Sequence, residues 1–175
     1  MEENYKTLLR NVKAFAFDVD GVMTDGTLVV FPDGLHRIMN IRDGYALHEA
    51  VKAGYPVFVV SGGHSEGVHH RLSKLGIREV HLGITDKTAT MNRLLESYGI
   101  SWDSVAYMGD DLPDFEVIRH AGLRACPQDA VHEIKSLCHY ISPITGGRGC
   151  VRDLIEQVMK AQGRWPHQFS SPSAD

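Results

Sequence analysis

No apolar run in the chain comes near the ~20 residues that a helix needs to cross a bilayer; stretches such as Pro56 to Val60 are among the longest. No membrane partner is expected. The first residues, Met1-Glu2-Glu3-Asn4-Tyr5-Lys6, carry neither the basic nor the apolar stretch of a secretory leader. Cysteine is scarce: Cys126, Cys138 and Cys150 form no C-x-x-C pair and leave one over. A disulfide framework is therefore not expected, and reduced thiols in a cytoplasm are. Positive charge is also in deficit, with 18 Lys and Arg against 22 Asp and Glu and a net charge of −4. That balance speaks against a nucleic-acid partner, whose footprint is a basic face. It leaves room for a phosphate ligand if a metal sits between the charges.

What remains is an ordinary soluble composition, with 43% hydrophobic and 23% charged residues. Disordered, collagenous and coiled-coil classes fall away. The 175 residues suffice for one compact domain, which at this size buries about 70% of its unfolded surface. Strand and helix patterns alternate with short glycine punctuation, the mark of βαβ units. Strands are predicted near 13–18, 57–60, 79–82, 105–108 and 123–125, and helices near 43–53, 64–75, 87–98, 112–121, 129–136 and 150–161. Gly54, Gly76, Gly99 and Gly122 each follow a helical run, where a left-handed residue ends a helix cheaply. Lys13-Ala14-Phe15-Ala16-Phe17 is almost continuously apolar, as a central parallel strand covered on both faces should be. The fold class is α/β, a doubly wound parallel sheet of Rossmann-like type spanning residues 1–161.

One segment breaks the alternation. Thr27 to Phe31, Pro32-Asp33-Gly34 and Leu35 to Ile41 read as a hairpin inserted at 27–41. Its first arm is apolar on both faces and calls for a second surface, either its own domain or another subunit. Residues 162–175 hold three Ser and two Pro without periodicity and read as a tail, although Trp165 and Phe169 are unusual in a purely solvated segment.

The chemistry gathers at strand ends. Phe17-Asp18-Val19-Asp20-Gly21 places two carboxylates where the first strand runs out, and ligands of open parallel sheets bind there. An isolated D-x-D is more often a turn that caps itself; the rest of the chain changes that balance. Val60-Ser61-Gly62-Gly63-His64 offers a hydroxyl and close-approach glycines ahead of a helix, an anion-site pattern, with Ser61 as a plain helix cap the alternative. Lys87 falls in the first turn of a helix capped by Thr85 or Asp86, where a cation opposes the helix dipole; that points to a carboxylate or phosphate partner, with a solvated lysine the alternative. Gly109-Asp110-Asp111-Leu112-Pro113-Asp114 gives three acids within five residues, more than capping requires. Carboxylates collected this way repel unless a hard cation or a lysine neutralises them, and all-oxygen ligation selects Mg²⁺ over zinc. The histidines, His64, His69 and His70 among them, show no metal spacing.

In order along the chain, Asp18/Asp20, Ser61, Lys87 and Asp110/Asp111/Asp114 resemble the four motifs of the haloacid dehalogenase superfamily of phosphatases. The small hairpin, the lack of a large cap, Arg42-Asp43-Gly44, Leu75-Gly76-Ile77 and Gly146-Gly147-Arg148-Gly149 resemble its 3-deoxy-D-manno-octulosonate 8-phosphate phosphatases. The resemblance implies Asp18 as nucleophile and Asp20 as general acid and base. It implies Mg²⁺ held by Asp18, the Asp20 backbone carbonyl and Asp110, with Asp111 and Asp114 in support. Ser61, Gly62, Lys87 and Arg42 would contact phosphate and substrate, a small-molecule sugar phosphate. It further implies a homotetramer with hairpins and tail at the subunit contacts. Many relatives have Thr-Gly-Arg where this chain has Ser61-Gly62-Gly63: the hydroxyl survives, and the arginine, with any substrate contact it makes in those relatives, is absent. Phosphatases of nine-carbon sugar acid 9-phosphates share the scaffold and form the alternative substrate reading. A receiver-type signalling domain would need its phosphoacceptor on the third strand, and an inactive scaffold would have no use for the second acid of D-x-D.

Overall fold

The computed structural model describes residues 5–166. Its centre is β1 (Ala14–Phe17), flanked by β4 (Val57–Val60) and β6 (Val105–Met108). With β5 (Glu79–His81), β7 (Leu123–Cys126) and β8 (Tyr140–Ile141) they form a parallel sheet in the order β5-β4-β1-β6-β7-β8. The chain runs outward from β1 to one side and then to the other, which puts the topological switch point at the carboxyl end of β1.

Residue alternation along β1 decides which helices cover which face. Phe15 and Phe17 join Val57, Val59, Ala106 and Met108 under α1 (Tyr5–Asn11), α2 (Ile41–Lys52), α3 (Glu66–Lys74) and α7 (Cys150–Ala161). Ala14 and Ala16 join Phe58, Val60, Val105 and Tyr107 under α4 (Lys87–Tyr98), α5 (Phe115–Ile118) and α6 (His132–Leu137). All four β1 side chains are fully buried, as the continuous apolar run requires. The inserted hairpin, β2 (Val29–Phe31) and β3 (Gly34–His36), is a separate antiparallel ribbon pairing Val30 with Leu35.

Several expectations change in detail. Residues 5–11 form a helix the periodicity reading passed over, although Tyr5, Leu8 and Leu9 share one face. β8 has two residues, too short for a pattern. The helix expected at 112–121 shortens to a 3₁₀ turn at Leu112–Asp114 and the single turn α5, with Pro113 at the start. Gly54, Gly76 and Gly99 do take positive φ. Gly122 does not: a side chain there would lie 2.1 Å from the Asp103 carbonyl oxygen, so close approach excludes it.

The segment read as a tail begins packed. Gln162 donates to the carbonyls of Leu9 and Val12 at 2.9 and 2.8 Å, and Trp165 is buried with the Arg152 guanidinium over its ring. Phe169 lies outside the described residues.

Candidate active site

The loop after β1 is held by its own backbone and by Thr24. The Asp18 N–H donates to the Met108 carbonyl at 3.1 Å, and the buried Thr24 hydroxyl accepts from Gly21 and Gly26 N–H. Asp18 therefore leaves the sheet at a fixed angle, 7% exposed, with Oδ1 accepting from the Val19 N–H at 2.7 Å. Two residues on, Asp20 is far more open, its side chain 36% exposed.

At the end of β4, Ser61 is fixed by its N–H to the His81 carbonyl and by its carbonyl accepting from Ile84. It does not cap α3. Ser65 does, accepting from the Val68 N–H, and the helix starts at Glu66 rather than 64. Ser61-Gly62-Gly63 is thus a loop at the strand end, with Ser61 buried.

Asp86 caps α4 and so delivers Lys87 to the first position of the helix, pointing inward at 6% exposure. Its Nζ lies 2.7 Å from Asp114 Oδ1 and 3.1 Å from Asp18 Oδ2. These carboxylates are the partner that its place in the first turn demands. Burial opposes the ammonium charge, but Asp114 and Asp18 overcome it and hold the Lys87 pKa above the ordinary lysine value. Asp114, fully buried, also accepts from the Tyr107 hydroxyl at 2.7 Å and from the Asp110 N–H at 3.3 Å.

Asp18, Asp20, Ser61, Gly62, Lys87, Asp110 and Asp111 line one cavity of about 300 Å³. Two expected residues lie outside its lining. Asp114 sits beneath it, as the support of Lys87 and of the Asp110 backbone. Arg42 sits apart, exposed in the first turn of α2. The reason is the helix turn: Asn40 caps α2, Asp43 points inward to the Arg152 N–H, and the residue before it faces solvent. Asp111 caps the following 3₁₀ turn by accepting from the Leu112 N–H, one of the uses its sequence position allowed.

Carboxyl oxygens of Asp18, Asp110 and Asp114 lie within 4.8 Å of one another. Burial, reinforced by the Asp114 carboxylate, pushes Asp18 up to about 6 despite Lys87. Burial and its carboxylate neighbours push Asp110 up to about 7. An all-oxygen cluster strained by its own charge fits a hard divalent cation. Asp18 and Asp110 line the cavity, whereas Asp114, fully buried, has Oδ1 engaged by Lys87 and Tyr107 and Oδ2 by the Asp110 N–H.

Sequence reasoning missed Arg37. It follows β3 of the hairpin and makes a bidentate pair with Asp20, Nε to Oδ1 at 2.6 Å and Nη2 to Oδ2 at 2.9 Å. Nothing local signals this, because the partners are seventeen positions apart across a hairpin. A larger cleft of about 720 Å³ runs beside the site between hairpin and α3, with His36, Arg37, His64 and Arg71 in its walls.

Known proteins resemble this chain in sequence and in fold. A family profile described as haloacid dehalogenase-like hydrolase matches residues 79–151. The 3-deoxy-D-manno-octulosonate 8-phosphate phosphatase of Salmonella typhi is 33% identical over 159 residues, covering 90% of this chain and 85% of the relative. The crystal structure of the phosphatase of that name from Yersinia pestis superposes with a TM-score of 0.90 at 31% identity, covering 93% and 88% of the two chains. A Moraxella catarrhalis phosphatase of the same name, solved with magnesium, phosphate and KDO, gives a TM-score of 0.88 at 30% identity, covering 93% and 94%. With relatives above 30% identity over most of both chains and the same fold, this chain belongs to the 3-deoxy-D-manno-octulosonate 8-phosphate phosphatase family of haloacid dehalogenase-like hydrolases.

Proposed function

We propose that the protein is a Mg²⁺-dependent phosphomonoesterase that releases phosphate from 3-deoxy-D-manno-octulosonate 8-phosphate. The observation that carries the reading is the convergence of Asp18, Asp20, Ser61 and Lys87 on one small cavity at the switch point. Phosphoryl transfer asks for positioning and charge stabilisation more than for covalent variety. Asp18 attacks phosphorus and becomes an aspartyl-phosphate. Asp20 gives a proton to the departing sugar oxygen and then takes one from the water that hydrolyses the phosphoenzyme. The Ser61 hydroxyl, the Gly62 N–H and Lys87 Nζ hold phosphoryl oxygens.

Asp18, Asp110 and the Asp20 backbone carbonyl would hold Mg²⁺. Bound there, the ion supplies the charge that offsets repulsion between an anionic nucleophile and an anionic phosphate. Asp114 keeps Lys87 charged and in place, and Asp111 orders the loop that carries Asp110.

The sugar extends from the cavity toward the cleft between hairpin and α3. Since the hairpin leaves Val30 73% and Phe31 54% exposed, it is read as a subunit contact, with a homotetramer in which each copy covers its neighbour's site. Among the described residues no helix is long and apolar enough to cross a membrane. With three free thiols, the chain is assigned to the cytoplasm.

The test is phosphate release with Mg²⁺ from the octulosonate 8-phosphate and from nine-carbon sugar acid 9-phosphates. A higher kcat/KM for the eight-carbon ester is expected. Preference for a nine-carbon ester would move the substrate assignment, and no release from either would overturn the function.

A further inference from the structure

Arg37 enters the site from outside the strand-end loops. Its side chain is only 5% exposed, with both Asp20 oxygens engaged and Nη1 3.5 Å from the His64 carbonyl. The space it occupies is left by Gly63. A side chain at 63 would begin 2.6 Å from Arg37 Nη2 and 2.7 Å from Asp20 Oδ2, so neither the guanidinium nor the carboxylate could stay where it is. Gly63 has no positive φ. It is glycine for room rather than for conformation.

We infer that Arg37 is the positioning residue of Asp20, a hairpin-borne guanidinium that fixes the general acid through the gap at Gly63. This rests on the phosphatase reading above. A carboxyl group that carries the proton for the leaving oxygen still has acceptor capacity on both of its oxygens. A bidentate guanidinium uses that capacity on each oxygen and fixes the carboxyl plane. Asp20 also lines the cavity, which leaves its carboxyl open to a leaving oxygen there. Arg37 touches neither phosphorus nor leaving group. Without it, Asp20 is a half-exposed side chain free to rotate away from the ester, and proton delivery at the right place contributes on the order of 10²–10⁴-fold in rate.

The arrangement also makes the hairpin part of the catalytic apparatus. Arg37 is the residue after β3, so the seat of the ribbon sets the seat of the guanidinium.

The test compares two esters on purified full-length protein with Mg²⁺: a primary sugar-alcohol phosphate, whose alkoxide needs a proton to leave, and p-nitrophenyl phosphate, whose phenolate does not. The quantity read is kcat/KM, which reports the step in which the leaving group departs. Arg37→Ala is expected to lower kcat/KM for the alkyl ester at least about tenfold more than for the aryl ester, mainly through kcat. Arg37→Lys, charged but not bidentate, should recover part of the loss. Gly63→Ala keeps both charges and displaces the pair, so it should show the same ester discrimination more mildly with an unchanged circular-dichroism melt. Equal losses on both esters in Arg37→Ala and Gly63→Ala would overturn the inference while leaving the phosphatase reading intact. A wild type that hydrolyses neither ester would overturn both.

Discussion

The six-stranded sheet and the two-stranded hairpin are built from the same kinds of residue and end in opposite surroundings. Ala14 to Phe17 and Val57 to Val60 are buried almost without remainder. Val30, Phe31 and Leu35 are 73%, 54% and 49% exposed. β-branched and aromatic side chains favour strands in both places, so local preference is not the difference. The sheet has helices against each face, whereas the hairpin has one ribbon and the bend into α2. An isolated ribbon is marginal in water. The contrast divides the labour: the strand ends and the start of α4 hold Asp18, Lys87 and Asp114 in the buried interior, and the exposed hairpin contributes the arginine that pairs with Asp20.

The severest challenge to that division is Asp18→Asn. An amide of the same shape cannot attack phosphorus, so turnover should fall on the order of 10⁴-fold or more. Melting temperature and sedimentation should stay near those of the wild type. Near-normal turnover would show that the nucleophile lies elsewhere.

Metal removal asks the same question without a mutation. EDTA should abolish phosphate release and added Mg²⁺ restore it. Ca²⁺ should fail, because its looser and higher coordination misplaces Asp18. Full activity after exhaustive chelation would remove the cation from the site.

On the hairpin side, Val30→Asp or Phe31→Asp should shift sedimentation to smaller species. Each buried side chain of this size is worth about 1.5–3 kcal/mol to a contact. Sugar-phosphate turnover should weaken, and p-nitrophenyl phosphate hydrolysis should suffer less, since Asp18, Asp20 and Asp110 lie within one chain. A wild type that sediments as a fully active monomer would break the comparison from this side.

The smallest effect belongs to Asp43, which ties α2 to α7. Its Oδ1 accepts from the Arg152 N–H at 2.8 Å, in the first turn of a helix whose own cap residue, Gly149, has no side chain to offer. Among the described residues its Oδ2 is buried without a partner, and burial pushes the carboxyl up to about 6. A carboxyl raised above its unfolded value of ~3.9 contributes stability in full below that pH and loses it as pH rises through the folded value. Asp43→Asn should therefore flatten the fall in melting temperature between about pH 4 and 7, by a few degrees. Asp43→Ala should cost about 1 kcal/mol as a lost cap.

The motif residues were legible because each sits beside its own signal. Asp18 and Asp20 end an apolar strand, Ser61 precedes two glycines, Lys87 opposes a helix dipole, and Asp110 to Asp114 exceed what a cap needs. The fold class was legible for the same reason: strand and helix periods with glycine punctuation are properties of neighbouring residues. The elements passed over were a seven-residue helix and a two-residue strand, too short to carry a period.

What the sequence by itself determined is the order of chemical groups along a doubly wound sheet, and hence the class of reaction. Tertiary structure alone decided which groups meet. It set Asp114 beneath Lys87, turned Asp43 to α7 and left Arg42 in solvent, buried Trp165 under Arg152, and laid Arg37 across Asp20 in the space at Gly63. Those pairings join residues far apart in the chain, where no local preference acts. They are fixed by the packing of a sheet, its helices and an inserted ribbon, which brings distant side chains within bonding distance only once the whole domain has closed.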